Sequence, residues 1–276
     1  MRPELLVRRY LPARAQDVLR TFADEALPVR RRAARAEREG EFGAHSLASR
    51  VSPQGLVLAG IFQGLQLPLA GSWGGLSARL AGTYEKEIAS ELEGVIAARP
   101  PLVIDVGAAE GYYALGLARA LPQSVVYAFD IDRRARRLCA AGAKANSLAN
   151  VRIRGRVNAP VLRHLLQPGA LVISDCEGYE RELLDPNRVP GLREATVLVE
   201  LHEFVSPGLT SEVLARFRDT HNCMLIDARP RSESDGQHLN HLTLADRRQA
   251  VDEGRPTDPH AMQWAVLRPF PAAGLC

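Results

Sequence analysis

The chain has 276 residues, 46% of them apolar and 24% charged, a composition that supports a buried core and excludes disorder as the state of the whole. Its net charge of +3 comes from 35 basic against 32 acidic residues; the basic ones are Arg apart from Lys86 and Lys144, and acids are spread among them, so no nucleic-acid partner is expected. Cys139, Cys176, Cys223 and Cys276 form no CxxC pair and no short spacing, which argues against a zinc or disulfide framework and fits a reducing, cytoplasmic setting.

The first 82 residues differ in texture from the rest. ARAQDVLRTFADEAL and VRRRAARAEREGEF have helical spacing; the second is charged with no wide apolar stripe, as in a solvated helix, and the Arg30–Arg38 cluster is taken as solvent-facing. MRPELLVRRYLPARAQ carries charges throughout and no export signal is expected. Val51 to Ala78 is free of charge, yet Pro53, Pro68, three Gln and six Gly break it into short pieces, so no membrane span is expected. Residues 1–82 are therefore expected to form a mainly helical extension, a lid over a pocket or a dimer contact, and residues 83–276 the main domain.

From Thr83 the pattern alternates. TYEKEIASELEGVIAA places Ile88, Leu92, Val95 and Ile96 at helical spacing and ends at Pro100-Pro101. Strands are predicted at LVIDV, SVVYAFDI, NVRIRG, ALVISD, TVLVELHE, CMLIDA and QWAVLR, and helices at YYALGLARAL, RRARRLCAAGAKAN, YERELLD and SEVLARFRD. Continuous apolar strand cores such as LVI and TVLV indicate strands covered on both faces. The alternation predicts a doubly wound, Rossmann-like α/β sheet.

In such a sheet the ligand sits beyond the carboxyl ends of the strands, commonly at the first one, where DVGAAEGYY lies. Gly107 allows a tight turn and close approach of a ligand to the backbone, and Gly111 lets the next helix start close to the sheet. The middle glycine of GxGxxG is absent, Ala109 standing in its place, and Asp105 and Glu110 would repel a diphosphate. Nineteen residues after Gly111, FDID puts Asp130 at the end of the second strand, where a carboxylate accepts from ribose hydroxyls, with Ile131 beside it. That acid alone suits NAD or an adenosyl cofactor; together with the acid-flanked loop it favours S-adenosylmethionine, a sulfonium without phosphate.

YEKEI, DVGAAEGYYALGLA, SDCEGYERELL and VELHEF, in that order, make the stretch from Thr83 to Phe270 similar to class I S-adenosylmethionine-dependent methyltransferases, and more narrowly to their FkbM-type branch; the tail DEGRPTDPHAMQWAVLRP is similar to the end of related enzymes. The resemblance implies a seven-stranded sheet with its last strand antiparallel, the cofactor over the Gly107 loop, and the acceptor above the fourth and fifth strands. It implies cofactor contacts from Asp105, Gly107, Ala108, Glu110, Gly111, Tyr112, Asp130, Ile131 and Asp175. The segment between Arg156 and Leu171 departs from many relatives, and Asn158 is the candidate adenine contact there.

Methyl transfer is an in-line displacement that needs alignment and, at a hydroxyl, removal of a proton. Asp175, Glu177, Glu200 and His202 follow the fourth and fifth strands, and His238 and His241 lie in the connection after CMLIDA. His202, beside Glu200, is the candidate general base, with Asp175 and Glu200 as its catalytic companions. Asp175 and Glu177 could instead cap a helix near Gly178. Glu177, His238, His241 and Arg255 are candidate acceptor contacts, although Arg255 could pair with Glu253, and Trp264 is expected in the core. Asp175, Glu200 and His202 are also a possible divalent-metal set, one that the spacing does not favour. The expected function is S-adenosylmethionine-dependent O-methylation of a small-molecule or peptide-like metabolite, as in natural product biosynthesis. An NAD-dependent oxidoreductase and a non-catalytic S-adenosylmethionine-binding scaffold are the alternatives.

Overall fold

The computed structural model describes residues 46–70, 75–253, 260 and 262–271. The two predicted helices before residue 46, the Arg30–Arg38 cluster and Arg255 lie outside the described residues. The main sheet has seven strands: β1 (Leu102–Val106), β2 (Val125–Phe129), β3 (Val151–Arg154), β4 (Leu171–Ser174), β5 (Thr196–Leu201), β6 (His221–Asp227) and β7 (Gln263–Pro269). Their spatial order is β3-β2-β1-β4-β5-β7-β6. The pairs among β1 to β5 are parallel, and β7 runs antiparallel between β5 and β6, as the sequence led one to expect.

Burial explains which strand takes which place. Every residue of β1 and β4 is buried, as an apolar run covered by helices on both faces requires. β3 alternates half-buried Val151 and Ile153 with exposed Arg152 and Arg154, the pattern of an edge strand. The outer carbonyls of Val151 and Ile153 accept bonds from the guanidiniums of Arg152 (3.2 Å) and Arg154 (2.9 Å), so this edge, unpaired among the described residues, is partly satisfied by its own side chains.

Helices α1 (Leu47–Val51), α2 (Leu76–Ala81), α3 (Ala89–Ala98), α4 (Tyr112–Ala120), α5 (Arg133–Ala145), α6 (Ala159–Leu165), α7 (Glu180–Leu183), α8 (Leu209–Phe217) and α9 (Leu244–Val251) connect or flank the strands. α6 and α9 are additions to the expected set. α6 is short, with Asn158 as its cap and Pro160 in its first turn, and α9 is a Thr243-capped helix of mixed charge with only Ala250 and Val251 buried. Neither carries the apolar periodicity that marks a helix in a sequence.

Residues 46–70 and 75–82 pack into the larger of the two core clusters among the described residues. Leu47, Val51, Val57, Phe62, Leu65, Leu76 and Leu80 join residues of α3, α4 and the sheet there. A relay of edge-to-face aromatic contacts runs from Phe62 and Tyr84 through Tyr112 and Tyr113 to Trp264, which is fully buried on β7. Two imidazoles fasten the same segment: His238 Nε2 donates to the Ala81 carbonyl (2.8 Å), and His241 Nε2 lies 3.1 Å from the carbonyls of both Arg50 and Val51. Gly82 ends α2 at φ 79°, and a Cβ there would collide with the backbone of Ala59. Gly82→Ala therefore combines a left-handed strain with a backbone clash, and we expect it to cost at least ~2 kcal/mol in a urea denaturation series.

Candidate active site

The turn after β1 is built from internal hydrogen bonds. The amides of Gly107 and Ala108 both donate to the Phe129 carbonyl (2.9 and 3.0 Å), Ala109 donates to Asp130 Oδ2 (2.8 Å), and Gly111 donates to the Ala108 carbonyl (2.7 Å). Gly107, Ala109 and Gly111 all take positive φ, at 83°, 46° and 95°. What demands glycine at 107 is protein rather than ligand, since a Cβ would strike the carbonyl of Asp175 in the turn after β4. At 111 a Cβ would sit 2.7 Å from Cys139 Sγ of α5, so the close neighbour there is a helix.

Asp130 closes the end of β2 and holds two backbone amides, Ala109 through Oδ2 and Asp132 (2.7 Å) through Oδ1. Its pKa is raised, mainly by burial, with those two amides opposing the shift. Each carboxylate oxygen has a second lone pair for a ribose hydroxyl. Beside it Ile131 is 77% exposed, an apolar surface suited to the face of a purine. Asn158 is occupied as a cap, its Oδ1 accepting from Val161 N (3.1 Å).

The two acids flanking Gly107 do not carry the free charge expected of them. Glu110 is fully buried and bonded to Arg79 of α2, whose guanidinium also lies 4.5 Å from the centroid of the Tyr84 ring. Asp105 is buried in β1; desolvation pushes its pKa up to about 7, the Ala114 backbone opposing and Asp130 adding to the shift. Its Oδ2 has no hydrogen-bond partner. Tyr112 is packed among Phe62, Tyr84 and Tyr113.

The negative charge gathers instead at the ends of β4 and β5. His202 is 1% exposed, and its Nε2 lies 3.2 Å from Glu200 Oε2, 3.6 Å from Asp175 Oδ1 and 3.7 Å from Glu177 Oε2. Burial alone would lower the pKa of this imidazole, yet Glu200, Asp175 and Glu177 together raise it well above its ordinary value. Burial and the neighbouring Glu200 hold Asp175 well above the usual carboxylate range, with His202 opposing. One ligand atom from each of Asp175, Glu200 and His202 falls within 4.8 Å of the others, a donor set of the kind that suits a divalent cation.

Four sequence candidates thus meet in one cluster: Asp175, Glu177, Glu200 and His202. His238 and His241 do not join it, their imidazoles being turned to the backbone of residues 50–81. Two carboxylates escaped the sequence reading. Glu180 is fully buried and accepts from the amides of Cys176 (2.9 Å) and Gly178 (2.7 Å), bracing the turn that carries Asp175 and puts Glu177 at φ 55°. Glu85, buried at φ 47°, accepts from the Tyr113 hydroxyl. The repeated acid of DCEGYE was the available signal for Glu180.

No family model matches the chain, and no curated protein does. Among solved structures, an rRNA methylase from Streptococcus thermophilus is 12% identical over 68% of this chain and 99% of its own, with a TM-score of 0.45. The O-methyltransferase TomG from Streptomyces achromogenes, solved with S-adenosylmethionine, is 13% identical over 65% of this chain and 80% of its own, with a TM-score of 0.44. A SAM-dependent O-methyltransferase from Thermotoga maritima is 13% identical over 69% of this chain and 68% of its own, with a TM-score of 0.42.

Asp105 sets a pH dependence. Its folded-state pKa of about 7 lies above the ordinary aspartate value of 3.8, so between those values the folded chain keeps a proton that the unfolded chain has lost, and stability falls as pH rises. The Asp105 contribution is on the order of 4 kcal/mol across that window. Asp105→Asn should therefore unfold at a higher temperature than wild type at pH 8 and at a similar one at pH 4, as read by calorimetric melting.

Proposed function

We propose that the chain is an S-adenosylmethionine-dependent methyltransferase of FkbM type, acting at oxygen on a small-molecule or peptide-like acceptor. The observation that carries this is the internal hydrogen bonding of the β1 turn. The amides of Gly107, Ala108, Ala109 and Gly111 are all spent on the protein, whereas a dinucleotide site keeps such donors for its pyrophosphate. A nucleoside cofactor without phosphate asks only for the Asp130 carboxylate and an apolar face such as Ile131. The orphaned Asp105 Oδ2 beneath the turn fits a polar ligand above it. When bound, S-adenosylmethionine supplies the electrophilic methyl group.

The residues of the cluster supply the proton chemistry. His202 takes the acceptor hydroxyl proton at Nε2, and Glu200 and Asp175 stabilise the resulting imidazolium. Glu177 lines the open side of the cluster, and Glu180 holds its backbone. This concentration of carboxylates repels a phosphodiester chain, which supports a small or peptide-like acceptor over nucleic acid. No helix among the described residues is long and apolar enough to cross a membrane.

Calorimetric titration with S-adenosylhomocysteine should give micromolar binding, weakened at least tenfold by Asp130→Ala, and NAD should bind less tightly; preference for NAD would sink the proposal. Because the imidazole must be neutral to accept a proton and its pKa is raised, kcat/KM should climb with pH well above 6.5. His202→Gln should lower kcat on the order of a hundredfold or more. A second reading follows from the proximity of Asp175, Glu200 and His202: these hold a divalent cation, and His202 is a ligand rather than a base. Loss of activity with a chelator, restored by added Mg²⁺ or Mn²⁺, would select it.

A further inference from the structure

S-adenosylmethionine ends in an α-amino acid, and a buried α-carboxylate needs a cation or strong donors. The surroundings of the β1 turn are rich in the opposite charge, with Asp105, Glu110 and Asp130 in or beside the turn and the carboxylates of Glu85, Asp175 and Glu200 nearby. Among the described residues, His202, Arg231 and Arg79 are cationic side chains with little exposure. His202 turns Nε2 to three carboxylates and lies at the ends of β4 and β5, away from the turn itself. Arg231 is spent: Nε bonds to Thr83 O (2.9 Å) and Glu253 Oε1 (2.7 Å), Nη1 to Arg229 O (2.9 Å), and Nη2 to Glu87.

Arg79 is different. It is bonded through Nη1 to Glu110, in the turn itself, and also hydrogen-bonds with the Tyr84 side chain, while its buried Nε has no hydrogen-bond partner. A buried guanidinium N–H without an acceptor is costly unless something fills the place. Position agrees with chemistry. Asp130 lies on the β2 side of β1, so a nucleoside whose ribose rests there extends its other end across the turn, toward β4 and the start of α4. Arg79 approaches that turn from α2, held in place by Tyr84 beneath its guanidinium and by Gly82 at the helix end.

We propose that Arg79 binds the α-carboxylate of the cofactor, so that α2 forms part of the cofactor site. The inference rests on the S-adenosylmethionine reading above. It assigns Glu110 a supporting part: the acid anchors one edge of the guanidinium and leaves the Nε edge for the ligand.

The test compares two probes, S-adenosylhomocysteine and 5′-methylthioadenosine, which share the nucleoside but differ in the amino-acid arm. Because Arg79→Ala alone strands Glu110 without its partner, the informative protein is Arg79→Ala combined with Glu110→Gln, measured against Glu110→Gln. Calorimetry should show S-adenosylhomocysteine weakened about 10- to 100-fold by loss of the guanidinium, and 5′-methylthioadenosine changed less than threefold. Arg79→Lys should recover part of the lost affinity. Equal weakening of both probes would make Arg79 a mere support of the turn and overturn the proposal, as would no weakening of either. Wild type that binds neither probe would instead overturn the cofactor reading itself.

Discussion

The arrangement depends on one missing side chain. At Gly107 the backbone after β1 passes so close to the carbonyl of Asp175 that no Cβ fits between them. The Asp175 amide donates back to the carbonyl of Val106 (2.9 Å). Neighbouring parallel strands already lie about 4.8 Å apart; this contact continues their closeness past the end of the sheet, into the turns. The turn after β1 and the turn that begins the carboxylate cluster are thereby packed directly against one another, and under the proposed function this contact would fix the cofactor relative to the cluster, as an in-line transfer requires.

The second organising feature is how the structure houses its buried charges. Arg79 with Glu110, and Arg231 with Glu87 and Glu253, each join residues far apart in sequence. Such pairs add little net stability once desolvation is counted, but removing one partner is expensive. Their value lies in geometry: they fix residues 76–87 against the turn after β1 and against the connection after β6. The His202 cluster is the exception, with three carboxylates converging on one imidazole. Groups of like charge gathered around one buried imidazole cost stability, and this is the feature on which the proposed proton chemistry rests.

Much of this was legible in the sequence because it is local. Continuous apolar runs marked β1, β4 and β5, since burial on both faces leaves no room for alternation. Asp130, Asp175 and His202 were legible because the carboxyl end of a strand is a place the chain order specifies. Arg79 was not. It stands at the end of a charge-free stretch, 31 residues before Glu110, and no periodicity encodes a pair joined only by the fold. For the same reason the sequence presents Glu110 as an acid facing a ligand and does not reveal that His238 and His241 lie against the backbone carbonyls of Ala81, Arg50 and Val51. Asp105 kept its position but not its expected charge, because desolvation depends on what covers a group.

The edge at β3 bears on how the chain behaves at high concentration. A sheet with an unpaired margin is a template on which any extended segment can add itself as a further strand. Here a newcomer must first dislodge the guanidiniums of Arg152 and Arg154 from the carbonyls they cover, and must bring acidic side chains to tolerate the charge it meets. A generic apolar segment from a partly unfolded copy meets neither condition. The arginines of VRIRG thus act as a filter on sheet growth, passing over the sequences most prone to aggregate.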